Sequence, residues 1–330
     1  MAACGALLTV VLIVAGGVVT NTDSGLACPD WPTCYGSVVP RMVGNVAVEH
    51  THRLIATAVG LCAVALVVLA LRRAALWMAA FSTLILAAAI WGARLEQISG
   101  ELPAAAVVMV ALGFAGCGWA ISRARDIQGK LAAGALTLVM FQGLLGGLAV
   151  LYKLPTLVLV MHLGASMLFL SVMLLLAWGQ RPQGGGALWV TTAAIYLQIL
   201  LGAAVRHTGA GLACTDLPFC RGALWPGGVH PMVHLHMAHR AFTFVVLALV
   251  TWSSWRLGRS SRGIVKALAL AAPVLVVVQI GLGFATILTF KDLVPLTAHL
   301  LVGALLLADY VSLLALAQEE RAVAAVELPA

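Results

Sequence analysis

An all-α, multi-pass membrane protein follows from three features of this sequence. Hydrophobic residues make up 62% of its 330 positions. Charged residues make up only 9%, against about 25% in a soluble domain. Apolar stretches of spanning length recur along the whole chain. A helix needs roughly 20 mainly apolar residues to cross a bilayer, and such stretches fall at about 4–21, 47–71, 74–94, 102–122, 130–152, 154–178, 186–206, 234–257, 264–289 and 293–316. They are rich in Leu, Ala and Val and lack the strict alternation of barrel strands, so about ten helices are expected. The first stretch lacks the basic start of a signal peptide and is read as a span.

Charge gives the orientation. Arg72, Arg73, Arg123, Arg125, Lys130, Arg181, Arg256, Arg259, Arg262, Lys266 and Arg321 fall on one set of connections. Arg41, Arg94, Lys153, Arg206, Arg221 and Lys291 fall on the other, with Arg53 and Arg240 at its helix mouths. Lys and Arg favour the cytoplasmic side, so the first and larger set, and both termini with it, are expected there. The long connections at about 22–46 and 207–233 then face outward. The net charge of +7 reflects this bias; no basic cluster interleaved with aromatics points to nucleic acid.

The chain repeats itself. Gly25-Leu26-Ala27-Cys28-Pro29-Asp30-Trp31-Pro32-Thr33-Cys34 aligns with Gly211-Leu212-Ala213-Cys214-Thr215-Asp216-Leu217-Pro218-Phe219-Cys220 at an offset of 186. Glu49 to Arg53 aligns with His236 to Arg240 at 187. Further on, Gln142 aligns with Gln279 and His162 with His299 at 137. The difference, 187 − 137 = 50, sizes an insertion of two short spans at about 74–122. The expected plan is an N-terminal half (1–178) carrying that insertion, a C-terminal half (186–316), each with four helices of the repeat, and a short cytoplasmic tail (317–330).

His52, His162, His239 and His299 lie in or at the mouth of expected spans, toward the outer face. A titratable group in hydrocarbon is costly and faces the bundle interior. A single such histidine reads as a satisfied core residue. Four at repeat-equivalent positions, one per helix and two helices per half, suit axial ligation of haem iron. His50, His207, His230 and His234 have no histidine counterpart and read as loop or interfacial residues. Arg53 and Arg240 each follow a ligand candidate; contact with haem propionates and simple snorkelling at the interface are both open. The halves differ at Glu49, three residues before His52 on the same helix face, whose counterpart is His236. A carboxyl beside one site alone suits proton handling or charge stabilisation; the plainer reading is an interfacial partner of Arg53.

These residues resemble the haem A synthase family: E-x-x-H-R at Glu49 to Arg53, Q-x-x-x-G at Gln142 to Gly146 and Gln279 to Gly283 with a histidine after each, H-R at His239 and Arg240, and the GLAC loops. The likeness covers both halves apart from about 72–125, and the two inserted helices depart from the family's eight-helix plan. It implies an enzyme oxidising a ring methyl of haem O to a formyl group by successive hydroxylations. It further implies a permanent haem b on His239 and His299 passing electrons, the substrate haem O between His52 and His162, and Glu49 assisting the chemistry. A haem O synthase, the terminal oxidase assembly line and an electron donor are the partners it implies.

Cys28 with Cys34 and Cys214 with Cys220 form two C-x5-C pairs on outward loops. That side is oxidising and permits disulfides. A structural staple and a redox-active pair are both open; the resemblance implies a haem-handling role for the first. Cys4, Cys62 and Cys117 read as buried apolar residues. Two rival functions fit four membrane histidines: a two-haem electron carrier, which needs no unique carboxyl, and a transporter, against which the lack of broken midplane helices counts. The topology is testable by thiol labelling of intact cells. Both cysteine pairs should react with an impermeant reagent only after reduction; reaction only after lysis overturns the orientation.

Overall fold

A computed structural model describes residues 1–71, 73–227 and 230–317. Arg72, Arg321 and residues 318–330 of the expected tail lie outside the described residues. The helices are α1 (Ala2–Asn21), α2 (Gly44–Leu71), α3 (Arg73–Ser99), α4 (Ala104–Arg123), α5 (Ile127–Leu151), α6 (Thr156–Trp178), α7 (Gly186–His207), α8 (Pro231–Ser260), α9 (Gly263–Leu288) and α10 (Leu293–Leu316), with a 3-10 turn at Ala210–Leu212. All ten α-helices are long and apolar enough to span a bilayer. Their outer surfaces carry large apolar side chains, such as Leu61, Leu69, Leu76 and Val277, which water would penalise and acyl chains do not. Hydroxyls inside the spans bond back to their own helix. Thr9 donates to the Gly5 carbonyl (2.7 Å), Ser171 to Met167 (2.8 Å) and Thr286 to Leu282 (2.9 Å), so each polar group is satisfied without water.

Two compact units divide the chain, Met1–Gly179 and Gln180–Ala330. In the first, α1 and α5 each pack against both α2 and α6. The four helices thus form a ring in which α2 and α6 are diagonal. The α3–α4 pair packs on α5. The close approach of α3 and α4 depends on Gly113 and Gly116, where a Cβ would collide with Ile85 and Phe81. In the second unit α7 and α9 each pack against α8 and α10, which makes α8 and α10 the diagonal pair.

Two disulfide-closed loops enter this frame. In each, a short bridge pairs the second cysteine with the residue three positions on: Cys34 with Ser37, and Cys220 with Ala223. The two residues between have positive φ, Tyr35 (52°) and Gly36 (72°), Arg221 (53°) and Gly222 (75°). A two-residue reversal with both positions left-handed is a type I′ turn, and glycine fills the second place because it has no Cβ to strain.

The second unit holds a buried hydroxyl cluster. Tyr310 is fully buried, and its hydroxyl bonds Ser253 Oγ (2.7 Å), Ser254 Oγ (3.2 Å) and the Val250 carbonyl (3.2 Å), tying α10 to α8. Tyr310→Phe removes one hydroxyl at nearly constant volume. It should lower thermal stability in detergent by about 0.5–1.5 kcal/mol; unchanged unfolding would show that the cluster contributes nothing to holding the two helices together.

Candidate haem sites

The four histidines sit at matched depth. His52 is the ninth residue of α2, counted from Gly44, and His239 the ninth of α8, counted from Pro231. His162 and His299 are each the seventh of α6 and α10, counted from Thr156 and Leu293. α2 and α8 begin about three residues before the expected starts at 47 and 234, because the chain leaves the loops directly into helix at Gly44 and Pro231. His52 and His239 are therefore two turns inside their helices, deeper than the sequence implied. In each unit the two histidines come from the diagonal pair. His239 and His299 lie near enough to interact electrostatically.

Each imidazole rests on a glycine of a neighbouring helix. A Cβ added at Gly16 of α1 would stand 3.1 Å from Cε1 of His52, and one at Gly202 of α7 would stand 3.0 Å from Cε1 of His239. The same probe at Gly283 of α9 meets Cε1 of His299 at 3.2 Å, and at Gly146 of α5 meets Cε1 of His162 at 3.8 Å. Gly16 and Gly202 keep the offset of 186, Gly146 and Gly283 that of 137. At Gly16, Gly202 and Gly283 the rings lie so close to the backbone that a Cβ would press on them, while at Gly146 the contact would be an ordinary one.

Glutamines brace the ligand helices. Gln142 Nε2 donates to the His162 carbonyl (2.9 Å) and to Ser166 Oγ. Gln198 Nε2 donates to the His239 carbonyl (3.0 Å) and to Thr243 Oγ1 (2.6 Å). Gln279 does otherwise: its backbone carbonyl faces Nδ1 of His299 at 3.0 Å. Its side-chain Nε2 lies 3.4 Å from Nε2 of the same ring, so in this structure Gln279 meets both nitrogens of His299. The ring of His52 lies beside the Leu12 carbonyl of α1, and Nδ1 of His239 is buried without a hydrogen-bond partner. Four imidazoles held in pairs on diagonal helices, each beside a glycine of a neighbouring helix, are a donor set of the kind that ligates haem iron.

Arg53 and Arg240 anchor the loops. Arg53 Nη1 donates to the Asp30 (3.0 Å) and Thr33 (2.7 Å) carbonyls, and Nη2 to the Cys28 carbonyl (3.2 Å) and Glu49 Oε1 (2.5 Å). Arg240 Nη1 donates to the Asp216 (2.8 Å) and Phe219 (3.1 Å) carbonyls, Nη2 to the Cys214 carbonyl (2.6 Å), and Nε to His236 Nε2 (3.2 Å). Both guanidinium groups thus clamp the backbone of a disulfide loop onto the helix that carries a histidine.

Glu49 is buried, 4% exposed. Oε2 accepts the Cys28 N–H (2.7 Å) while Oε1 meets Arg53. It joins loop to helix one turn outside His52. His236, equally buried, holds the same place in the second unit.

Cys28–Cys34 and Cys214–Cys220 are disulfides, with all four residues at most 3% exposed. Such burial suits a staple and withdraws the sulfurs from soluble thiols. Asp30 carries the first turn, accepting from Thr33 Oγ1 (2.5 Å), the Tyr35 amide (2.5 Å) and the Gly36 amide (2.9 Å). Partial burial acts to raise its pKa, but these donors outweigh burial and hold the carboxyl below the usual value of 3.8.

Some residues stand where the sequence did not put them. His50, expected at a loop or interface, is buried in α2, and its ring reaches within 4.8 Å of both sulfurs of Cys28 and Cys34. Its neighbour positions decide this, because Glu49 pulls Cys28 down onto the same turn. Trp31 of the loop packs on α5, 3.0 Å from where a Cβ of Gly147 would stand. Gly16, Gly202 and Gln198 were not singled out. The offset of 186 could have found the two glycines, but that offset sets Gln198 against Leu12 and hides it.

Comparison with known proteins places this arrangement in a family. The COX15-CtaA family, described as cytochrome oxidase assembly protein, matches residues 1–46 and 98–311. The interruption, 97 − 47 + 1 = 51 residues, agrees in size with the expected insertion, though displaced toward α2. The heme A synthase of Symbiobacterium thermophilum is 31% identical over 310 residues, covering 85% of both chains. That of Shouchella clausii is 30% identical over 300 residues, covering 85% of this chain and 83% of its own. That of Shewanella oneidensis is 26% identical over 358 aligned positions, covering 93% and 92%. Ten spans, two pairs of diagonal histidines and these relatives lead to one conclusion: the chain belongs to the heme A synthase family of cytochrome oxidase assembly proteins.

Proposed function

We propose that this protein is a haem A synthase of the bacterial plasma membrane, converting haem O to haem A by successive oxidations of one ring methyl. The observation that carries this reading is the set of four imidazoles, paired on diagonal helices and each laid on a glycine, in a chain of that family. In the second unit His239 and His299 hold a haem b. Bound there, that group would supply one-electron chemistry. In the first unit His52 and His162 flank the substrate, haem O. Gln142 and Gln198 fix the helices that carry His162 and His239, so the imidazoles are oriented before either haem arrives.

Glu49 gives the units different chemistry. It stands one turn outside His52, so its carboxylate lies toward the outer edge of the substrate site, where it can hold negative charge or accept a proton. Arg53 keeps it oriented. His236 offers no carboxylate to the second site. Arg53 and Arg240, whose donors are engaged by the loop carbonyls, would offer haem propionates positive charge and not free N–H groups. The cysteine loops face the extracytoplasmic side and the termini the cytoplasm. A haem O synthase supplies the substrate, terminal oxidase assembly takes the product, and a separate donor supplies electrons.

Extraction and mass analysis of haems from the purified protein test this. An enzyme should carry haem O or its oxidised derivatives beside haem b; a single haem type would favour a two-haem electron carrier. His239→Ala and His299→Ala should lose the low-spin b-type spectrum, while His52→Ala and His162→Ala keep it. Equal loss from all four would overturn the assignment of halves. Glu49→Gln keeps the size and one acceptor oxygen but removes the charge. It should retain haem b and accumulate haem O, with haem A formation down by about 10²–10⁴-fold; a normal yield would leave Glu49 a loop anchor only.

A further inference from the structure

The contacts between imidazoles and glycines are not equally tight. Placed Cβ atoms come within 3.0 Å of the His239 ring at Gly202, 3.1 Å of His52 at Gly16 and 3.2 Å of His299 at Gly283. At Gly146 the gap to His162 is 3.8 Å, an ordinary van der Waals contact. Other glycines of the same helices, Gly143 on α5 and Gly281 on α9, have nothing within 4 Å. Tight glycines also occur elsewhere, at Gly113 against Ile85 and Gly147 against Trp31, but at Gly202, Gly16 and Gly283 the near neighbour is an imidazole.

We propose that Gly202, Gly283 and Gly16 are positioning residues that set the rotation of His239, His299 and His52. The proposal rests on the haem-binding reading above. Without a bound haem, an imidazole met by a new methyl group swings aside at little cost, since the ring is the free end of its side chain. With iron on one nitrogen the ring direction is fixed by the macrocycle, and a methyl group at 3.0 Å cannot be avoided. Alanine at these places therefore acts on the haem-bound protein and spares the haem-free one.

The full chain, produced without haem and held in detergent, can be titrated with haem b. Unfolding of the haem-free variants is followed in parallel. Gly202→Ala and Gly283→Ala should weaken haem b binding at least tenfold or shift the low-spin resonance and the reduction potential of the bound haem. Gly281→Ala should change neither. All three should be as stable as the parent or more so when haem-free, because alanine is the better helix former. Gly202→Ala binding haem b with parental affinity, resonance and potential would overturn the proposal, and so would an equal effect from Gly281→Ala. If the parent chain itself binds no haem b, the haem reading fails first and the positioning role with it.

Discussion

Hydrocarbon offers no hydrogen bond, so every polar group inside this chain needs a partner from the chain or from something the chain binds. That constraint organises both units. Backbone groups are consumed in helices, hydroxyls bond back one turn, and the Tyr310 cluster gathers three side-chain hydroxyls around one carbonyl. Several buried side-chain atoms are not closed this way, among them Nδ1 of His239, Oγ of Ser82 and Oδ2 of Asp309, whereas both nitrogens of His299 face Gln279.

The same physics explains the outer loops. A connection at the membrane surface has no core of its own, and a helix mouth cannot fix it by packing alone. Each loop is closed by a buried disulfide and a type I′ turn. Each is then clamped by one arginine whose donors are spent on backbone carbonyls. Because that arginine directly follows His52 or His239, the loop is tied to the same stretch of α2 or α8 that carries the histidine.

Duplication supplied the frame, and departures from it supply the chemistry. Glu49 stands where the second unit has His236, His50 where it has Met237, and Trp31 where it has Leu217. All three departures are in or beside the first loop. The first disulfide therefore lies against an imidazole and a carboxylate-bonded amide. The second lies in an apolar pocket with Val233 and Met237. The first loop is thus the more polar of the two at its base, and the second the more apolar.

The sequence by itself determined the membrane class, the ten spans, the four histidines and the pairing of the cysteines. These are set by composition, length and internal alignment, which need no knowledge of packing. Helix starts were less legible. Gly44 and Pro231 begin helices within polar, glycine- and proline-containing connections, where hydropathy gives no edge. Tertiary structure alone decided what the charged residues touch. Glu49 and Arg53 share a helix face in any reading, but only the folded loop brings the Cys28 amide and the Asp30 and Thr33 carbonyls to them. It also decided that Gly16 and Gly202 matter. A glycine in a glycine-rich apolar span carries no signal until the neighbouring helix lays an imidazole on it, and helix adjacency is fixed by packing across the bundle, not by order along the chain.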